Sequence, residues 1–170
     1  MTVLITDSAQ QEDALSQTRF INPRALSKPQ GYTHVVEVTA PARLVYVAGQ
    51  LGNSGEGEFS SDFRQQAVQT FENLKVALAA VGGQFHDVVK FNNYLVDMKY
   101  LPIFRQVRNS YLADENRPAS TTVVISGLAR AGAFLEIEAV AVLPAIARKR
   151  TTGNVRSRRA ATKAARRKGK

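Results

Sequence analysis

The chain has 170 residues, 44% of them apolar, enough to bury the core of one domain and hardly two. It has no cysteine and only two histidines, His34 and His86, with no second ligand at helix or strand spacing. That excludes disulfides, thiol nucleophiles and Cys-ligated metals, and neither a transition-metal site nor a Ser-His-Asp triad is expected. The formal charge of +9 is unevenly spread: residues 148–170 hold 11 basic and no acidic side chains, leaving 12 basic and 14 acidic groups elsewhere, a net of −2. No apolar run is long enough to span a membrane. The start, Met1 to Thr6 followed by Asp7, Glu12 and Asp13, lacks the basic and apolar parts of a secretory signal, so a cytoplasmic location is expected.

In chain order, residues 1–19 are polar and without sustained period, and are expected to be a loose arm with at most a short strand at Val3–Ile5 or a helical turn near Ala14. Asn22-Pro23 to Gly31 is irregular, because proline and glycine interrupt any ladder. Thr33–Val38 and Leu44–Gln50 are rich in β-branched and aromatic residues and predict two strands. Residues 62–81 predict a helix, since Phe63, Ala67, Phe71, Leu74, Leu78 and Val81 recur at spacings of three and four. Asp62 is placed to cap it, with Gln65 as its box partner, and Gly82-Gly83 ends it.

Val88–Val96 predicts a strand with Val89, Phe91 and Leu95 on one face. Pro102 suits the first turn of a second helix carrying Ile103, Val107 and Tyr111. Ser120–Ser126 and Phe134–Leu143 are the last two strands. In the latter, Leu135, Ile137, Ala139 and Ala141 share one face, and Phe134, Glu136, Glu138 and Val140 the other.

The predicted order β-β-α-β-α-β-β implies an α+β sandwich, a mixed sheet with two helices on one face, over an ordered domain at 20–147. The strands that carry Val36, Val45 and Val124 cannot all hide under two helices, so the other sheet face is expected to be an oligomer interface. Residues 148–170 read as a disordered basic tail. That run can neutralise phosphates without sequence preference, so Arg148–Lys170 is a candidate for non-specific nucleic-acid binding, although it has no aromatic residue for base stacking.

Four segments resemble, in order and spacing, the RidA/YjgF (reactive-intermediate deaminase; endoribonuclease L-PSP-like) superfamily. They are Tyr46-Val47-Ala48-Gly49-Gln50; Gln69-Thr70-Phe71-Glu72-Asn73-Leu74; Asp87-Val88-Val89-Lys90 with Tyr94-Leu95-Val96-Asp97; and Pro118-Ala119-Ser120 followed by Leu135-Glu136-Ile137-Glu138-Ala139-Val140-Ala141. The resemblance covers about 32–143. The resemblance implies a chorismate-mutase-like fold and a homotrimer with small-molecule ligands in clefts between subunits. It also implies hydrolysis of enamines and imines to ammonia and a keto acid, with no cofactor or metal.

Transferred position by position, it places Tyr32, Gly49 and Glu136 in the site, Glu136 positioning water and Tyr32 assisting, with Ala119 and Ser120 against the substrate. The family's Pro-Ala-Arg reads Pro118-Ala119-Ser120 here, so the arginine that grips the substrate carboxylate is a serine. Loss of a bidentate, charge-assisted contact costs about 2–4 kcal/mol of binding. Ordinary 2-imino-acid deaminase activity is therefore expected to be weak unless Arg117, Arg43 or Arg130 reaches in. Three readings stand side by side: an imine deaminase with altered preference, a pathway-specific or non-catalytic ligand-binding trimer, and a nucleic-acid binder acting through the tail.

Overall fold

The computed structural model describes residues 17–39, 42–55 and 57–145. The short strand or turn expected within 1–16 and the basic tail lie outside these residues. The elements are β1 (Gln17–Ile21), β2 (Val35–Thr39), β3 (Ala42–Leu51), α1 (Phe63–Ala79), β4 (Val88–Leu95), α2 (Leu101–Tyr111), β5 (Ala119–Val124) and β6 (Leu135–Pro144). Seven match the sequence reading. The eighth, β1, falls across the segment read as a loose arm, and pairs antiparallel with β2, Phe20 opposite Val36.

The other four strands form one sheet in the order β3-β6-β4-β5. β4 and β5 run parallel because α2 carries the chain back between them, and the remaining pairs are antiparallel. No helix among the described residues is long and apolar enough to cross a membrane.

Both helices lie on one face of this sheet. The α1 stripe is buried at Phe63, Ala67, Phe71, Leu74 and Leu78, over Leu135, Ile137, Ala139 and Ala141 of β6. Val81 is exposed instead, because the helix has already ended. Gly82 takes φ +76°, and Gly82 N–H and Gly83 N–H donate to Ala79 O and Leu78 O, the pattern that terminates a helix with a left-handed residue. At the other end the Asp62 carboxylate accepts from Gln65 N–H (3.2 Å). The box does not close, since Asp62 N–H is taken by Ser60 Oγ (3.0 Å), and the Gln65 side chain also bonds that hydroxyl.

Several residues face otherwise than their spacing suggests. In β4 the register to β6 shifts between Val88 and Lys90, so Val88 is buried rather than Val89, and Phe91, Asn93 and Leu95 follow on the inner face. Phe134, placed with Glu136 by strand alternation, precedes β6 and packs on Tyr100 at the end of the core. On the uncovered face the exposed large apolar residues are Leu44, Tyr46 (76% exposed) and Val123, with Val142 and Val140 of β6 in register with the first two, whereas Val45 and Val124 point to the helix side by register and Val36 lies in the β1–β2 ribbon.

The centre of the core is aromatic. Phe71 is fully buried and lies against Phe91, Phe104 and Tyr111, the last stacked at 4.9 Å. The Tyr111 hydroxyl donates to Glu72 Oε1 (2.9 Å). Burial, then this bond and the Glu72 charge, push the Tyr111 pKa up to about 12. A phenol raised on folding adds stability that is complete below its unfolded pKa of about 10 and lost as pH rises through the folded value. In urea unfolding, the advantage of wild type over Tyr111→Phe should therefore shrink as pH rises from about 10 to about 12. A difference that stays constant over that range would contradict the shift.

Candidate functional site

Tyr32 reaches the sheet through a turn. Gly31 adopts φ +77°, and Thr33 N–H donates to Pro118 O (3.2 Å), which fixes this segment beside the start of β5. Ser120, second in β5, is in register with Phe91, so its side chain faces the helix layer. Its Oγ accepts from Asn93 Nδ2 (3.0 Å), which also donates to Thr121 O (2.8 Å) and Thr122 Oγ1 (3.1 Å). The two mid-strand asparagines thus bond within the chain, Asn93 to β5 and Asn92 to Glu138 (3.3 Å). Tyr32 and Ser120 line one groove of about 370 Å³ between β5 and α2. Ala119 is in register with Lys90 and lies on the opposite face.

Glu136 and Gly49 form a second pair. Glu136 is in register with Tyr94 and Leu51 on the uncovered face. The register of β3 against β6 shifts between Val47 and Gln50, and Gly49 in that irregular stretch lies directly against the Glu136 carboxylate; a Cβ there would come 2.6 Å from Glu136 Cδ. Nearby, the Tyr94 hydroxyl donates to Glu138 (3.1 Å). That bond first, then partial burial and the charges of Glu138 and Glu136, raise the Tyr94 pKa above its ordinary value. One chain therefore brings Tyr32 to Ser120 and Gly49 to Glu136, and holds the two pairs on opposite faces of the sheet.

None of the three arginines considered from sequence lines the groove. Arg43 donates to Val81 O (2.8 Å), Arg130 lies over the Phe59 ring, and Arg117 bonds Asn109 (2.7 Å) and Asp114 (2.8 Å). Two others do line it, Arg105 and Arg108 of α2. Arg108 is only 5% exposed. Burial, then the charges of Arg117 and Arg105, lower its pKa to about 10. The sequence carries a signal for it: Arg108 stands four residues after the buried Phe104 and three before Tyr111, on the apolar stripe of its own helix.

The histidines stay outside both pairs. His34 Nε2 bonds Ser27 O (2.8 Å), and its ring meets Tyr32 edge-on; His86 is exposed beside Asp87. No cluster of metal-ligating side chains occurs among the described residues.

Taken together, these features define an α+β sandwich with a basic groove beside its edge strand and a carboxylate on its open face. The chain belongs to the RidA/YjgF superfamily: the family described as Endoribonuclease L-PSP matches residues 23–143. It is 30% identical over 122 residues to a RutC family protein of Aquifex aeolicus, covering 71% of this chain and 94% of that one. It is also 30% identical over 132 residues to a 2-iminobutanoate/2-iminopropanoate deaminase of Dermatophagoides farinae, covering 76% and 99%. Among solved structures it superimposes on the Rid-family protein YyfB of Yersinia pestis with a TM-score of 0.68 at 29% identity, covering 74% and 98%. On RidA of Psychrobacter sp. PAMC 21119 the TM-score is 0.56 at 33% identity, covering 73% and 98%.

Two glycines of the β3 region separate site geometry from fold. A Cβ on Gly49 meets the free end of the Glu136 side chain, which can swing aside. A Cβ on Gly52 meets the backbone of Gln66, 2.7 Å from its Cα, which cannot. Gly52→Ala should lose about 1–3 kcal/mol of stability in thermal unfolding. Gly49→Ala should lose less than about 1 kcal/mol while displacing the carboxylate in a structure of the variant. Equal losses at both positions would count against this placement of Glu136.

Proposed function

We propose that the chain is an enamine/imine hydrolase that works from clefts between the subunits of a homotrimer. The observation that carries this reading is the split site. Tyr32 and Ser120 lie in the groove of one chain, Gly49 and Glu136 on the far face of its sheet, so a second copy is needed to set a carboxylate opposite the groove. The uncovered face, with Leu44 and Tyr46, offers the apolar surface through which copies associate. The deaminase named among the relatives supports the reaction class.

The chemistry asks little of the protein. An imine carbon is already electrophilic. With the imine nitrogen protonated from solvent, Glu136 accepts a proton from water as the C–O bond forms and the C=N π pair moves to nitrogen. Glu136 then passes that proton to the nitrogen and takes the proton of the new hydroxyl as the C=O forms and the C–N bond breaks, so that a carbonyl compound and ammonia, which carries the excess proton away as ammonium, leave. Tyr32 offers a hydroxyl to hold substrate or water. Ser120 supplies one short donor where a guanidinium would grip a single carboxylate, so activity on 2-iminobutanoate is expected to be low.

Ammonia release from imines made in situ tests the reading. Glu136→Gln should lower kcat by about 10²–10⁴ with little change in folding. Tyr46→Asp should reduce the trimer seen by light scattering and lose activity in step, with circular dichroism preserved. A fully active monomer, or a wild type inert toward every imine offered, would remove the proposal.

A further inference from the structure

Arg108 is the one charged side chain among the buried residues described. Its guanidinium packs near the Phe104 ring and against the backbone of Gly31; a Cβ on Gly31, already in the left-handed region, would overlap Arg108 Nη2. Its hydrogen bonds go to one neutral atom, Asn109 Oδ1, from Nε (3.4 Å) and Nη2 (3.2 Å), and that same oxygen also accepts Arg117 Nη1 (2.7 Å). Arg117 has a carboxylate, Asp114 at 2.8 Å. Among the described residues neither Arg105 nor Arg108 has one.

A buried cation beside two others is costly, and a protein retains such an arrangement where something else brings the counter-charge. Both unneutralised guanidiniums line the groove that Ser120 and Tyr32 also line, with Thr121 and Thr122 as further hydroxyl donors.

We propose that Arg105 and Arg108 bind a doubly charged anionic group, a dicarboxylate or a phosphate ester, and so take over from α2 the grip on substrate that residue 120 cannot provide. Two uncompensated positive charges set the preference, since a single carboxylate leaves one of them over. That this anion belongs to a substrate rests on the imine-hydrolase reading; the anion site itself rests on the guanidiniums.

The test uses the full chain in low-chloride buffer, with inorganic phosphate, malonate and acetate as probes followed by thermal unfolding and calorimetry. At tenfold its Kd, phosphate or malonate should raise the Tm of wild type by about 4 °C. Acetate should bind far more weakly than either. Arg105→Gln and Arg108→Met should each weaken binding about 10- to 100-fold, whereas Arg64→Gln, on the exposed face of α1, should leave it unchanged. Without anion, Arg108→Met should melt no lower than wild type, because a buried uncompensated charge has been removed.

Acetate binding as tightly as malonate, or phosphate binding that survives in both Arg105→Gln and Arg108→Met, overturns the proposal. Should Arg108→Met fail to fold, Arg105→Gln alone decides. Tighter malonate assigns a dicarboxylate, and tighter phosphate a phosphate ester. Glu136→Gln should keep anion binding while losing ammonia release. Anion binding in a wild type that hydrolyses no imine would uphold this site and remove the hydrolase reading, and hydrolysis without anion binding would do the reverse.

Discussion

Two helices cover one face of a four-stranded sheet and leave the other bare, and most of what this molecule can do follows from that shortage. The inner face takes the apolar stripe of α1, the ring of Phe104 and alternate residues of β6. The outer face takes the rest of β6, including Glu136 and Glu138, with Leu44 and Tyr46 beside them. A carboxylate on the bare face and a hydroxyl under the helices cannot meet within one chain. On the imine-hydrolase reading proposed above, the layering therefore calls for assembly of copies.

The same layering explains the groove. β5 is one of the two edge strands, joined to the sheet only through β4, and α2 overhangs its inner side. An edge is where a helix layer runs out, so polar side chains there face a cleft instead of packed hydrocarbon. Ser120 and Thr122 are held there through Asn93, a buried amide that stands where β4 would otherwise carry an apolar residue. The Asn93 Oδ1 atom is buried without a hydrogen-bond partner among the described residues. A polar centre of this kind fixes the position of β5 at some cost in stability, and it sets the floor on which a ligand would rest.

Elements with a clean period were legible in the sequence. The α1 stripe and the β6 alternation needed no tertiary information, because the recurring inward positions Phe63, Ala67, Phe71, Leu74 and Leu78 of α1 and Leu135, Ile137, Ala139 and Ala141 of β6 are all apolar, whereas the buried Gln66 and Thr70 beside that stripe carried no such signal. What failed was what local pattern cannot encode. A one-residue bulge near Val89 moved burial to Val88. Gly82 ended α1 before the last member of its stripe, leaving Val81 outside. β1 carries apolar residues only at its end, Phe20 and Ile21, and its strand character depends on pairing with β2. At the site, the pairing of Tyr32 with Ser120 follows from a backbone bond to Pro118 that no sequence spacing announces. Arg108 was legible in principle, as a charge on a helix stripe, but an arginine there reads as surface until the neighbouring cations are seen.

The central place of β6 also bears on how the chain is made. It is the last of the described strands in sequence, yet it sits between β3 and β4. While the protein emerges from the ribosome, β3 and the β4–β5 pair therefore wait with open edges, and α1's apolar side lacks the β6 residues that complete its cover. The sheet can close only once residue 144 is free. Nascent chains that stop short of β6 would expose both a hydrophobic helix and unsatisfied strands. Quality control should find little to rescue in such a fragment, and synthesis of the final ten-residue strand is the moment at which the whole domain becomes able to fold.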